Sequence, residues 1–114
     1  MIITVFRSRL KPGVSEEYRA QVRRMIELAA TMPGYISHKD FTADDGERVT
    51  IVEFEHAAGQ HAWRTNPEHL AAQRVAGQKY YIEYSVQVCT LERQTKFKAK
   101  DIAEPAAAAA TAQG

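Results

Sequence analysis

Apolar and polar positions alternate from the start of the chain. Between Ile2 and Leu10, Ile3 and Val5 point one way while Thr4, Phe6, Ser8 and Leu10 point the other. That period of two marks a strand. Apolar residues occur on both of its sides, which predicts cover on both faces. Lys11-Pro12-Gly13 ends it. The period then changes. Tyr18, Val22, Met25, Ile26, Ala29 and Met32 recur at helical spacing, with Arg19, Arg23, Arg24 and Glu27 largely off that stripe. Ser15 is the expected N-cap, with Glu16 and Glu17 in the first turn, where the helix dipole favours negative charge. Pro33-Gly34 stops the helix.

Two more strands follow, Tyr35 to Thr42 and Arg48 to Glu55, joined through the hairpin signal Asp44-Asp45-Gly46. Ile36, His38 and Asp40 share one face of the first. In the second, Val49 and Ile51 share one face and Thr50, Val52 and Phe54 the other. Ala57 to Thr65 reads as a short helix. Asn66 then caps another, with Pro67 in its first position and Glu68 in its first turn. Leu70, Ala72, Val75 and Ala76 are its apolar content, and fraying is expected from Gly77 to Tyr81. Ser85 to Gln94 supplies the last strand. From Lys98 the chain turns alanine-rich and is broken by Pro105. A domain over residues 1–97 and an Ala-rich tail over 98–114 are therefore expected.

The resulting order, β-α-β-β-α-β, is that of a ferredoxin-like α+β fold. It predicts a four-stranded antiparallel sheet with both helices on one face. Apolar residues on the other face need cover as well, and a second copy of the same sheet supplies it most simply. A homodimer is the expected assembly.

Composition narrows the function without identifying it. A chain of 114 residues fits one domain. A formal charge of +1 makes no case for nucleic acid or an anionic membrane as partner. The single cysteine, Cys89, cannot form an internal disulfide, so a reducing compartment is expected. Its mid-strand position reads as a small buried hydrophobe. No signal-peptide pattern precedes Ile2, and no apolar stretch approaches a membrane span. The expectation is a soluble cytoplasmic protein.

Candidate chemistry concentrates between Glu53 and Tyr84. Trp63, the one tryptophan, is either a wall that stacks on a flat substrate or donates its indole N–H, or a core anchor. His69 falls in the first turn of its helix, where the dipole lowers an imidazole's pKa and leaves a neutral base. The alternative is an exposed or backbone-bonded histidine. His56, His61 and His69 invite a metal reading, with His38 and Asp40 as further ligands. The five-residue step from His56 to His61 does not suit one helix face, however, so no metal site is expected. Tyr80, Tyr81 and Tyr84 either hydrogen-bond a substrate or close a core. No phosphate loop, GxSxG or dinucleotide fingerprint occurs.

Several stretches together carry a family resemblance. They are the opening strand with Lys11-Pro12-Gly13, then Met32-Pro33-Gly34-Tyr35, then Val52-Glu53-Phe54-Glu55. Trp63-Arg64-Thr65-Asn66-Pro67-Glu68-His69, Tyr80-Tyr81 and the strand from Tyr84 to Cys89 complete the set. The chain resembles the antibiotic biosynthesis monooxygenase family of small dimeric α/β-barrel proteins. The resemblance implies the fold, the homodimer and a monooxygenase that uses O2 without a cofactor. Its substrate would be a small aromatic or quinol-type compound, in a cavity between sheet and helices. The expected lining is Phe6, Phe54, Trp63, His69 and Tyr81, with Trp63 as stacking wall and His69 as base. In cofactor-independent members the tryptophan works with an asparagine one turn earlier and a tyrosine further on. Those positions hold Gly59 and His69 here. In haem-degrading members a first-strand asparagine and a later histidine are expected, where this chain has Phe6 and Gln73. A non-catalytic dimeric module that binds a hydrophobic metabolite is the rival reading.

Overall fold

The computed structural model describes residues 1–100. Its elements run β1 (Ile2–Leu10), α1 (Ser15–Ala30), β2 (Tyr35–Thr42), β3 (Arg48–Phe54), α2 (Ala57–Arg64), α3 (Pro67–Lys79) and β4 (Tyr81–Thr90). The strands form one antiparallel sheet in the order β2-β3-β1-β4. This is the expected α+β, ferredoxin-like arrangement, with the second helix divided in two. Residues 101–114, most of the expected tail, lie outside the described residues.

The register decides which side chains meet. Thr4 pairs with Val52 and Val88, and Phe6 with Thr50 and Val86, so these share one face. The helices cover that face: Thr4, Ser8, Val52 and Phe54 are all buried on it. The opposite face presents Ile3, Val5, Val49 and Ile51, each half-buried and without a helix over it. Arg7–Glu47 and Arg9–Asp45 ion pairs flank them.

Three local expectations are corrected. Ser15 is the first helical residue rather than the cap; Val14 holds the cap position, and no side chain bonds there. α3 does not fray at Gly77. A mid-helix glycine costs roughly 1 kcal/mol, but Ala76 before it and Tyr80 after it are buried against Tyr18. The Tyr80 N–H donates to the Ala76 carbonyl, and Lys11 N–H donates to the Tyr80 carbonyl at 2.8 Å, which ties the helix end to the sheet. For the same reason β4 starts at Tyr81 rather than Ser85, and it ends at Thr90 rather than Gln94. Cys89 also departs from expectation: it is exposed, on the face without helices.

β4 contains one irregularity with a large effect. Arg9 pairs with Glu83 and Leu10 with Tyr81, so Ile82 is skipped. A bulge of this kind shifts the alternation by one residue. Tyr81 and Tyr84, three apart, thereby both join Phe6 on the helix-covered face, and Ile82 is left 64% exposed.

Two clusters make the core. One joins Leu28, Ala29, Val52, Phe54 and Trp63; the other joins Tyr18, Ala76 and Tyr80. Polar contacts hold α1 to α3 above the sheet. Gln21 Nε2 donates to the Ala72 carbonyl at 3.1 Å, and Arg24 forks onto both carboxylate oxygens of Glu68.

Candidate active site

Between the two clusters lies a cavity of about 110 Å³. Its floor is the sheet, through Thr4, Phe6, Thr50, Val52, Tyr84 and Val86. α1 contributes Tyr18, Gln21, Val22, Met25 and Ile26. α2 contributes Gln60, Trp63 and Arg64, and α3 contributes His69, Ala72, Gln73 and Ala76. Tyr81 closes the end near the helix-to-strand junction.

α2 reaches the sheet because Gly59 lets it. A Cβ at Gly59 would collide with the Pro33 carbonyl oxygen and stand 3.0 Å from the Phe54 ring. The position where the family pattern has an asparagine therefore admits no side chain in this chain. The close approach seats Trp63 on Phe54, with ring centroids 5.9 Å apart. The Trp63 indole N–H donates to the Met25 carbonyl at 3.1 Å. That bond locks the ring and uses up its donor, so Trp63 offers a ligand its ring and nothing else.

Asn66 sets the next turn. Its Oδ1 accepts from the Glu68 N–H at 2.8 Å, and Pro67 begins α3 with its φ preset. His69 follows, with its ring centroid 4.6 Å from that of Trp63. Burial is the main influence on this imidazole and lowers its pKa from the usual 6.5; a hydrogen bond with the Arg64 backbone partly offsets the effect. The direction agrees with the helix-start argument, but the cause is burial, which disfavours the charged form. His69 Nδ1 is buried and has no hydrogen-bond partner.

Aromatic rings fill the other end. Phe6 stacks on Tyr84 at 5.6 Å and lies 5.5 Å from Tyr81, and Tyr81 meets Tyr18 edge-on at 5.6 Å. Burial, and then the hydrogen bond with Tyr18, raise the Tyr81 pKa well above the ordinary phenol value. The Tyr81 hydroxyl thus stays protonated at every physiological pH.

Phe6, Trp63, His69 and Tyr81 are brought to one cavity. Phe54 is not: it is fully buried behind Trp63, between that ring and Tyr35, and supports the wall without forming it. His56 and His61 are exposed and lie outside the lining, and His38 reaches Asp40 at 3.6 Å elsewhere. Among the described residues no three His, Cys, Asp or Glu side chains converge on a point. Of the tyrosines named from the sequence, Tyr81 and Tyr84 line the cavity and Tyr80 does not, while sequence reasoning missed Thr4, Gln60 and Tyr18 as lining. Two of these left a signal. Thr4 alternates onto the side of Phe6, and Gln60 precedes Trp63 by one turn of the same helix.

Similarity to known proteins agrees with this architecture. A family model described as antibiotic biosynthesis monooxygenase matches residues 1–75. The chain is 30% identical over 81 residues to the uncharacterized protein YqjZ of Bacillus subtilis (strain 168), across 71% of each chain. Its fold is similar to that of Rv0793 from Mycobacterium tuberculosis, with a TM-score of 0.71 and 19% identity over 83% of this chain and 98% of that one. It is also similar to SnoaB, a cofactor-independent oxygenase from Streptomyces nogalater. There the TM-score is 0.68, with 19% identity over 82% of this chain and 94% of that one. No described helix is long and apolar enough to cross a membrane. The matched stretch holds three of the four strands together with Trp63 and His69, and on that match the chain belongs to the antibiotic biosynthesis monooxygenase family.

Proposed function

We propose that this protein is a cofactor-independent monooxygenase that acts on a small aromatic or quinol-type compound in the cavity. The observation that carries this reading is the pairing of a locked, ring-only Trp63 with a neutral, buried His69 inside an aromatic enclosure. A flat substrate stacks on Trp63, and His69 takes the proton of its ring hydroxyl. The anion so formed is electron-rich enough to reduce O2 directly. One oxygen atom stays on the ring carbon as the new quinone oxygen. The other leaves as water with the two hydrogens the substrate loses. The protein's share is to orient the ring, accept the proton and keep bulk water away.

The reading includes a homodimer joined through the sheet face that no helix covers. Ile3, Val5, Val49 and Ile51 on that face supply its apolar centre. Sedimentation at micromolar concentration is expected to give twice the monomer mass. A monomer there removes the dimer from the proposal.

Oxygen uptake with a panel of quinols and hydroxylated arenes tests the activity. Turnover of at least one compound is expected, with a loss of 100-fold or more, on the order of a general base's contribution, in His69→Ala. Full turnover in both Trp63→Ala and His69→Ala overturns the assignment. The rival reading, a module that binds a hydrophobic metabolite without changing it, draws on Gly59, where the family's asparagine finds no room. It is the better one if compounds bind and none consumes oxygen.

A further inference from the structure

Gln60 is only 4% exposed, and its carboxamide lines the cavity without a hydrogen bond to any described residue. Thr4, on the sheet floor of the same cavity, has a buried Oγ1 with no partner. Buried polar groups in folded proteins are almost always paired, because an unpaired one forfeits its hydration. Thr4 Oγ1 and His69 Nδ1 are two such groups in the lining of one small cavity, and the Gln60 carboxamide lines it with them. Trp63 cannot serve there, since its N–H is committed to Met25. The Gln21 amide is committed to Ala72.

The cavity's size bounds what that partner is. By volume, about 110 Å³ compares with the roughly 150 Å³ apolar cavity that takes up benzene in a different, engineered protein. A single ring is the scale of the space it encloses. Tyr84 and Val86, 48% and 40% exposed, leave the cavity's sheet side open for a substituent to emerge.

We propose that Gln60, assisted by Thr4, is the group that recognises a ring oxygen of the substrate, and that the substrate is a single-ring phenol or quinol. The amide N–H donates to that oxygen and the Thr4 hydroxyl completes its coordination. As His69 draws the proton away, the negative charge grows on an oxygen already held by a donor. This inference rests on the cavity being the working site. It names the residue that reads the ring oxygen, and it is tested by binding, so that it can fail or survive separately from oxygen chemistry.

Hydroquinone, phenol and toluene serve as probes, titrated calorimetrically into the full chain without turnover. Toluene has the shape of phenol with a methyl group in place of the hydroxyl. The native protein is expected to bind phenol and hydroquinone at least roughly tenfold more tightly than toluene, the scale of a hydrogen bond made by a buried group. Gln60→Leu, of similar volume, is expected to abolish that preference while binding toluene as well or better. Thr4→Val is expected to reduce it by a smaller factor. Gln60→Met is the second variant, should leucine's branch not fit. An unchanged preference for phenol in the Gln60 variants overturns the proposal, as does failure of the native protein to prefer phenol over toluene. A Gln60-dependent preference without oxygen uptake upholds the recognition site and removes the oxygenase reading instead.

Discussion

The protein has two cores, and they are built on different chemistry. Around Phe54 and Trp63 the buried cluster is aliphatic and aromatic, and the indole N–H is satisfied by Met25. Around Tyr18 and Tyr80 the rings carry hydroxyls, Arg48 sits 5.4 Å from the Tyr18 ring centre, and the helix-to-strand junction is held by a backbone bond from Lys11 to Tyr80. The first core is a rigid wall. The second is a cluster of phenols in which Tyr18 and Tyr81 hydrogen-bond each other. The cavity lies where they meet: Thr4, Val52, Gln60 and Trp63 line it from the first side, and Tyr18, Ala76 and Tyr81 from the second.

Emptying the first core is expected to do the most damage. Phe54→Ala removes a fully buried ring from beneath Trp63, and a loss of about 3–5 kcal/mol is expected in urea unfolding. A loss below about 1 kcal/mol would make the two cores equivalent. Gly59→Ala probes the same wall from the other side. Its methyl group collides with the Pro33 carbonyl and the Phe54 ring, so a loss of about 1–3 kcal/mol is expected despite alanine's better helix propensity.

Acid sharpens the contrast by acting on His69 alone between the cores. Its folded pKa is lowered, so the unfolded chain takes up this proton first as pH falls below 6.5. Stability is therefore expected to be unaffected by this group above pH 6.5. Below it, stability declines toward the folded pKa with a slope no greater than about 1.4 kcal/mol per pH unit. His69→Gln should flatten that part of the profile. By the same sign, the base form persists below pH 6.5, and the acid limb of turnover is expected there. The smallest effect belongs to the second core. The Tyr80 hydroxyl has no hydrogen bond to a described residue, so Tyr80→Phe is expected to change unfolding free energy by less than about 0.5 kcal/mol. A larger loss would mean that the phenol oxygens there hold the core together.

The same division explains what could be read from the chain. The elements of the first core are legible because their signals are local: Pro33-Gly34, Asn66-Pro67, and a strand alternation that places Val52 and Phe54 together. Trp63 beside His69 follows from one cap and one turn of helix. The second core resists because its geometry depends on pairing between distant strands. Only the register of Leu10 against Tyr81 reveals the skipped Ile82, and only that skip puts Tyr81 and Tyr84 on one face. The expected fraying at Gly77 failed for the same reason, since Tyr18, far away in sequence, packs over the helix end. Alternation puts Phe54 on the right face but not in the right layer, because it gives a side and not a depth. Gln60 was passed over because an isolated glutamine in a short helix carries no pattern of its own.

Trp63 is the one tryptophan in the chain, and it is held in a single orientation beside an imidazole at the edge of the cavity. All of the protein's indole emission therefore originates within ring-contact distance of the site. A ligand that enters displaces water and lays a second π-system against the emitter, while a proton on His69 places a quenching cation next to it. The fold thus carries its own optical probe of both occupancy and the charge state of the base, readable in the unlabelled protein.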